Sequence, residues 1–535
     1  MTHRICTRPA RDVREPASLS EEGDVATYLT DASRYPGGST SRVYLPTCEG
    51  EVAWVLRHEA RVLPVGAQSS LTGGAAPQGD AVLSTARMDC VLEVGAGSAR
   101  VQPGVALMRL QEELSERGAF FPPAPTYNGA FVGGIVSTNA AGAATWKYGT
   151  TREWVQALTV LLASGEAIDL RRGEVLASPE GTFEVESSHG QVAVLPIPTY
   201  TMPEVPKRSA GYHAAPGMDL VDLFIGSEGT LGVVTEIEVR TLEPAPELLS
   251  ALIPCPSEAL GLDLVARLRT ASQATWAAGD PHGLDVRSVE SMDRRAVELV
   301  KSGGADEAAG LSVPTGTELL LLVQLELAPG SEAHAALETF GDDDAPDSSV
   351  GRLLGLLAEL NLLDETELAL PSDRSRQEQL FAIREAVPMC VNHLVRDAQR
   401  SIDPRIHKVG GDMIVPFEHF AAAMDVYRRE FVTERGLDLV VWGHISDGNV
   451  HPNVIPTSHE DVEAGHAALL ACGRALQALG GCPLSEHGTG RNPVKQSLLR
   501  QLYRDAGLAQ MRALKQALDP QGKLARGVIF PWEGP

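Results

Sequence analysis

Positive charge is what this sequence is shortest of: 45 Lys and Arg stand against 70 Asp and Glu, a formal net charge of −25. A field of that sign opposes docking on phosphate backbones and anionic lipid surfaces, so nucleic acid is not expected as a partner. Paired cysteine is missing as well. The seven cysteines (Cys6, Cys48, Cys90, Cys255, Cys390, Cys472 and Cys482) are odd in number, scattered and never spaced CxxC, which argues against a disulfide framework and a thiolate zinc site. Long apolar runs are lacking too. Ala157 to Ala163 and Leu319 to Val323 are far short of the roughly 20 residues that cross a bilayer, so an integral membrane protein is not expected. The opening MTHRICTRPARDVREP has no apolar signal core and reaches its first acidic residue at Asp12, which points to the cytoplasm.

What is present is globular composition with a surplus of backbone-tight residues. Of 535 residues, 43% are hydrophobic and 21% charged, which excludes wholesale disorder and gives roughly two to four domains. Gly 52 and Pro 35 imply tight loops of the kind that let a ligand approach main-chain amides. From about Val43 to Leu242, strand-length apolar runs at Arg61 to Gly66, Ala81 to Ser84 and Val155 to Ala163 alternate with helical patterns. Leu107 to Arg117 is spaced as a surface helix stopped by Gly118. Glu243 to Pro256 holds four prolines and breaks the pattern, placing a domain boundary near residue 245. Ser302 to Ala308 and Gly341 to Val350 read as solvated acidic loops. Near the end, Asn492 and Pro493 read as the N-cap and first residue of a helix that closes near Asp519-Pro520.

Five segments carry chemistry. Pro64 to Gly79 (PVGAQSSLTGGAAPQG) follows a strand-like RVLPV and is either a cradle of main-chain N–H groups for a pyrophosphate or a plain tight turn. Its spacing matches neither GxGxxG nor the GxxxxGK phosphate loop. Phe120 to Gly149 (FFPPAPTYNGAFVGGIVSTNAAGAATWKYG) and Gly226 to Thr235 (GSEGTLGVVT) repeat that character, and their small residues let a flat aromatic ligand lie against main chain. Val440 to Pro456 (VVWGHISDGNVHPNVIP) reads as a hairpin with Asp447-Gly448 as its two-residue turn, so that His444 is expected opposite His451 and Trp442 opposite Asn453. Two imidazoles so placed suit one divalent ion, or a hydrogen-bonded core pair. In Leu484 to Gly490 (LSEHGTG), Glu486 offers a third, oxygen ligand and His487 a base, or else a turn cap and a structural histidine.

PVGAQSSLTGGAAP, VGGIVSTNAAG followed by KYG, and IGSEGTLGVVTEIEV together resemble the flavin-binding signatures of the PCMH-type, or vanillyl-alcohol-oxidase, FAD family, in order over most of residues 30 to 245. GHISDGNVHPN and SEHGTG resemble the paired signatures of the FAD-dependent D-2-hydroxyacid dehydrogenases, the group with D-lactate dehydrogenases, D-2-hydroxyglutarate dehydrogenase and the glycolate oxidase flavoprotein subunit. The resemblance implies an α+β, two-domain fold. A PCMH-type FAD-binding domain would span 1–245 and a substrate or cap domain on an antiparallel sheet 246–480, with a C-terminal segment, 481–535, packing back on the FAD domain. FAD would be held non-covalently, since Gln68, Ser69 and Ser70 stand where some relatives carry a tethering histidine. The implied cofactor contacts are Val65, Gly66, Ala67, Gln68, Ser69, Ser70, Pro123, Thr126, Gly133, Gly134, Ser137, Asn139, Gly142, Tyr148, Glu228, Gly232 and Val233, with Trp146 and Tyr148 either beside the flavin or in the core.

By the same resemblance His444, His451 and Glu486 would hold a divalent metal such as zinc and His487 would be the catalytic base. Asn453, Arg384 in FAIREAVP and Lys408 in HKVGGDMIVP would meet the substrate. A bidentate guanidinium is the natural carboxylate clamp; the alternative for Arg384 is an ion pair with Glu385 or Glu378. Two departures stand out. Lys495 comes later than the relatives' lysine after SEHG, and Ala525-Arg526-Gly527-Val528 replaces an Asn-Pro-Gly-Lys-like closing turn. The implied activity is oxidation of a D-2-hydroxy acid of the D-lactate, glycolate or D-2-hydroxyglutarate class to the 2-oxo acid, hydride passing to flavin N5. The electrons would go on to a quinone, a cytochrome, an electron-transfer flavoprotein or an iron–sulfur partner. The rival readings are an alkylglycerone-phosphate-synthase-like FAD transferase and a subunit whose FAD is structural only.

Overall fold

The VYL, VLPV and AVLS runs form the strands Val43–Leu45, Val62–Val65 and Ala81–Ser84 in the computed structural model, which describes residues 2–532 except 124, 126, 329, 331, 332 and 343–346. Thr126 therefore lies outside the described residues. Val82 pairs in parallel with both Val43 and Leu63, and parallel neighbours need a crossover. The helix Glu49–His58 supplies it, turning Val52, Ala53, Val55 and Leu56 inward along one stripe. Glu49 and Glu51 in its first turn, and Arg57 and His58 in its last, complement its dipole. Val52, Val55, Leu56, Val62 and Leu83 pack with Leu161 and Val233. The latter two come from a six-stranded antiparallel sheet in which Val155–Leu161 pairs with Val233–Arg240. The helix Pro493–Leu518 opens on Asn492, whose side chain accepts from the Val494 and Lys495 N–H groups. Beyond it, Ala525 N–H donates to Val62 O at 2.8 Å. These elements belong to one compact unit, made of Met1–Gly142, Tyr148–Glu243 and Cys482–Pro535.

The second unit, Ala143–Lys147 with Pro244–Gly481, is built on an eight-stranded antiparallel sheet. The stretch whose prolines read as a break holds a nine-residue strand, Glu247–Cys255. Its prolines fall before the strand, at its next-to-last residue and after it, where few ladder bonds are lost. The helix Arg374–Ser401 covers one sheet face: Leu380, Ile383, Val387, Val391 and Val395 pack with Met292, Leu322, Val440 and Trp442. Each such burial contributes roughly 1.5–3 kcal/mol, so a charge on that stripe, at Arg384, needs a partner there. Ala305–Ala308, expected as a solvated loop, is a helical turn with Asp306 buried beneath it. Of the second acidic stretch, residues 343–346 lie outside the described residues, and Ser349–Glu359 begins a helix. No helix among the described residues is long and apolar enough to cross a membrane.

Candidate functional site

In the first unit the loop after Val62–Val65 bends through Gln68, at φ 56°, and lines a cleft. Val65, Gly66, Ala67, Gln68, Ser69, Ser70, Gly133, Gly134, Ser137, Glu228, Gly232 and Val233 are on its wall, joined by Thr85, Pro103, Tyr127, Phe131, Ile135 and Ala141. Its volume of about 300 Å³ lies at the lower end of the roughly 300–1,000 Å³ typical of ligand pockets, so it is of ligand-binding size. The wall fits FAD chemically as well. A Cβ at Gly134 would stand in open space, so only main chain faces a ring there. No Lys or Arg is among the described lining residues, so a diphosphate would be met by N–H groups and serine hydroxyls. Gln68 turns its side chain away, its Nε2 donating to Thr27 O at 2.8 Å and Thr30 O at 2.7 Å. The loop is thereby pinned with its main chain towards the cleft.

Pro123, Asn139, Gly142 and Tyr148 are not on that wall. Asn139 instead takes the left-handed C-cap of the helix Val132–Thr138, at φ 48°, and its Oδ1 accepts from Arg152 N–H at 2.9 Å. Tyr148, half-buried, packs edge-on against Phe120 and Trp154, with centroids 5.9 and 6.1 Å away. Trp146 belongs to the second unit, 5.2 Å from Trp276 and 4.1 Å from the Arg269 guanidinium.

The cleft wall also carries Glu486 and His487, on a loop held from three sides. Ser209 N–H donates to Ser485 O at 2.8 Å. The buried Lys207 places Nζ 2.9 Å from Glu486 Oε2, and Glu228 accepts from the Thr489 and Gly490 N–H groups at 2.8 Å each. His487 Nε2 stands 3.7 Å from Glu486 Oε1. Glu228 is half-buried on the wall, and the protein around it pushes its carboxyl up to about 7 against the pull of the two N–H groups. The departing C-terminal turn supports the same loop: Arg526 O accepts from Arg491 and Gly527 O from Gln496, both at 2.8 Å. Lys495 is buried below it.

In the second unit the strands Leu439–His444 and Asn449–Val454 form the hairpin, with a corrected register. A two-residue type I′ turn needs positive φ at both central residues, and of Asp447 and Gly448 only Gly448 has it. The turn is instead one 3-10 turn over Ile445–Asp447 closed by Gly448 at φ 84°. His444 therefore lies opposite Asn449, Trp442 opposite His451 and Val440 opposite Asn453. Side chains alternate with period two, so a shift of two residues keeps every face. His444 and His451 are diagonal neighbours, both buried, with ring centroids 5.4 Å apart.

On the adjoining strand Val286–Asp293, Met292 pairs with Trp442 and Ser291 with Gly443. One step further brings Glu290 beside His444, on the face under the helix Arg374–Ser401. Glu290 Oε1 meets His444 Nδ1, and Oε2 accepts from Arg384 Nε at 2.8 Å. Arg384 thus pairs with Glu290 rather than with Glu385 or Glu378. Burial would raise the Glu290 carboxyl, but the Arg384 guanidinium and the His444 ring outweigh it and hold it far below the usual carboxylate range. Asp412 Oδ1 comes within 3.6 Å of His451 Nδ1, so each imidazole has a carboxylate on its Nδ1 side. Ligating histidines are oriented in this way, and two imidazoles so held suit a divalent ion. Lys408 Nζ stands 6.0 Å from the Trp442 ring centre, and Asn453 Nδ2 donates to His451 O at 3.0 Å.

Sequence reasoning missed Glu290, Asp412 and Lys207. A single acidic residue inside an apolar strand, SVESM, was a usable signal for Glu290, and Asp412 stands inside the quoted HKVGGDMIVP. Lys207 had none.

Residues 41–171 match the family model described as FAD binding domain, and residues 257–529 the model described as FAD linked oxidases, C-terminal domain. The chain is similar to glycolate oxidase subunit GlcD of Bacillus subtilis, at 26% identity over 94% of this chain and 92% of that protein. It is similar to D-2-hydroxyglutarate dehydrogenase of Xanthomonas citri pv. viticola, at 28% over 96% and 93%, and to D-lactate dehydrogenase of Archaeoglobus fulgidus, at 26% over 91% and 90%. Two solved structures share the fold. They are 4-ethylphenol oxidase from Gulosibacter chungangensis (TM-score 0.63, 16% identity, 96% of this chain and 94% of that one) and alkyldihydroxyacetonephosphate synthase (TM-score 0.58, 13% identity, 97% and 88%). With a main-chain cleft that fits FAD in one unit and a match to the oxidase model over half of its length, the chain belongs to the FAD-linked oxidases and has the PCMH-type FAD fold.

Proposed function

We propose that this enzyme oxidises a D-2-hydroxy acid to the 2-oxo acid. The observation that carries the reading is the buried chain His444–Glu290–Arg384, in which one carboxylate holds an imidazole of the sheet and a guanidinium of the covering helix. Those groups suit a hydroxyl oxygen and a carboxylate, the two functions that sit on neighbouring carbons of a 2-hydroxy acid. The relatives support it, being named for glycolate, D-2-hydroxyglutarate and D-lactate.

When bound, FAD supplies the hydride acceptor and a divalent ion on His444, His451 and Glu486 supplies a Lewis acid. Arg384 offers its Nη edge to the substrate carboxylate while Glu290 holds its Nε. Lys408 adds a second cation and Asn453 a hydrogen-bonding amide. His487 removes the proton from the 2-hydroxyl, general-base work suited to an imidazole near neutral pH. Lys207 and Glu228 hold the loop that carries it. A cytoplasmic location belongs to the same reading, as does an electron acceptor among quinones, cytochromes, electron-transfer flavoproteins and iron–sulfur partners.

The test is an anaerobic absorbance scan of the FAD-loaded protein against D- and L-2-hydroxy acids, repeated after chelation and after zinc is returned. Loss of the oxidised flavin band with a D-acid alone, and only with metal present, is the expected result. A flavin that stays oxidised with every acid, in a protein that takes up no metal, rejects the reading and moves the balance to the transferase or to a structural flavin.

A further inference from the structure

Resting on that reading, we propose that Glu290 is a positioning residue for two functions at once, fixing the tautomer of the ligating His444 and the orientation of the carboxylate-binding Arg384. Its two oxygens are divided between them, Oε1 to His444 Nδ1 and Oε2 to Arg384 Nε at 2.8 Å. His444, Glu290 and Arg384 are 1%, 3% and 5% exposed, so bulk water cannot take over either bond.

The division has consequences on both sides. An imidazole that gives its Nδ1 proton to a carboxylate presents a lone pair at Nε2, the form a metal ligand needs; without the carboxylate the other tautomer puts a proton there. A guanidinium held through Nε keeps the edge made by its two Nη groups for a second carboxylate, the bidentate geometry. Arg384 has no other hydrogen-bond partner among the described residues. On the apolar stripe formed by Ile383 and Val387, Glu290 is what holds the arginine in place. The strand register explains why one residue can do both: Met292 pairs with Trp442, so Glu290 falls beside His444 on the face that the helix Arg374–Ser401 covers. Metal retention and carboxylate binding therefore share one support and should fail together.

The experiment compares the FAD-loaded wild type with Glu290→Gln and Glu290→Asp. Zinc affinity is read by dialysis against a competing chelator, the visible spectrum after cobalt substitution reports ligand geometry, and 2-oxo acid affinity is read from perturbation of the flavin band. For Glu290→Gln both affinities are expected to fall by about 10–100-fold, with an altered cobalt spectrum and an unchanged flavin content. Glu290→Asp, which keeps the charge but retracts it by one methylene, is expected to lose less of both, and it carries the test if the Gln variant does not fold. Retention of both affinities, or loss of one without the other, overturns the proposal. A wild type that takes up no zinc and whose flavin no acid reduces rejects the underlying reading instead, so the two failures are distinct.

Discussion

Glu228 and Glu290 are the same residue type with two hydrogen-bond donors each, one in each unit, and their carboxyls move in opposite directions. Glu228 has two neutral donors, the Thr489 and Gly490 N–H groups, and burial drives it up to about 7. Glu290 is the more deeply buried, at 3% exposed, but has a guanidinium and an imidazole, and it stays ionised far below the usual range. The number of donors is equal; their charge decides the outcome. The contrast extends to the two units. The first builds its cleft from the main chain of Gly, Ala and Ser, a surface that takes a ligand by shape and by N–H dipoles. The second builds its cluster from buried Arg, His and Glu, where each charge needs its counterpart. Substitutions in the first should act through space and solvation, and in the second through uncompensated charge.

The largest effect is expected where chemistry is removed without disturbing either kind of surface. His487→Ala should lower turnover by about 10²–10⁴-fold and leave flavin content intact, read by steady-state kinetics beside the absorbance ratio; near-normal turnover would take His487 out of the mechanism. Next is the charge test. Arg384→Met leaves Glu290 with too little compensation and should cost roughly 3–5 kcal/mol in urea unfolding. Adding Glu290→Leu should recover most of that loss, and an Arg384→Met variant as stable as the wild type would show that the pair is not desolvated as its burial implies.

The matching test in the first unit runs through pH. The Glu228 carboxyl lies at about 7 in the folded chain against an ordinary value of 4.5, so between those values the folded state binds more protons than the unfolded one. Its contribution is complete below about 4.5 and is lost as pH rises towards 7, by up to about 1.4 kcal/mol per pH unit. Glu228→Gln, neutral at every pH, should remove that slope. The measurement is the difference between wild-type and variant unfolding curves over this range, and a difference that does not vary with pH would break the comparison with Glu290.

The same contrast explains what could be read from the sequence. A main-chain cleft needs small residues in unbroken runs, so the loops at Val65 to Ser70 and Gly226 to Thr235 announce themselves. In Phe120 to Gly149 a residue that turns aside cannot be told from one that lines the wall: Asn139 caps a helix and Tyr148 packs against Phe120 and Trp154, and only three-dimensional neighbours decide that. In the second unit the hairpin was legible as a hairpin, but its register depended on whether Asp447 accepts a positive φ, and it does not. Glu290 lies 154 residues from His444 and 94 from Arg384. Pairing at that separation is set by strand order in the sheet, which local pattern does not encode.

The smallest expected effect concerns a feature that was legible from local pattern alone. Asn492 accepts from the Val494 and Lys495 N–H groups and is followed by Pro493 at the first helical position, so Asn492→Ala should cost about 1 kcal/mol of unfolding free energy. Its position also makes it a test of what holds the His487 loop. The cap lies only two residues beyond Gly490, yet the loop is already held by Lys207 on Glu486, Ser209 on Ser485 and Glu228 on Thr489 and Gly490. If those contacts suffice, turnover in Asn492→Ala should change by less than about twofold, well under the tenfold that 1.4 kcal/mol at the transition state would produce. A turnover loss approaching that of His487→Ala would mean that the helix cap, and not the Glu228 and Lys207 contacts, fixes the base, and that charge and main chain are less separable in the first unit than its cleft implies.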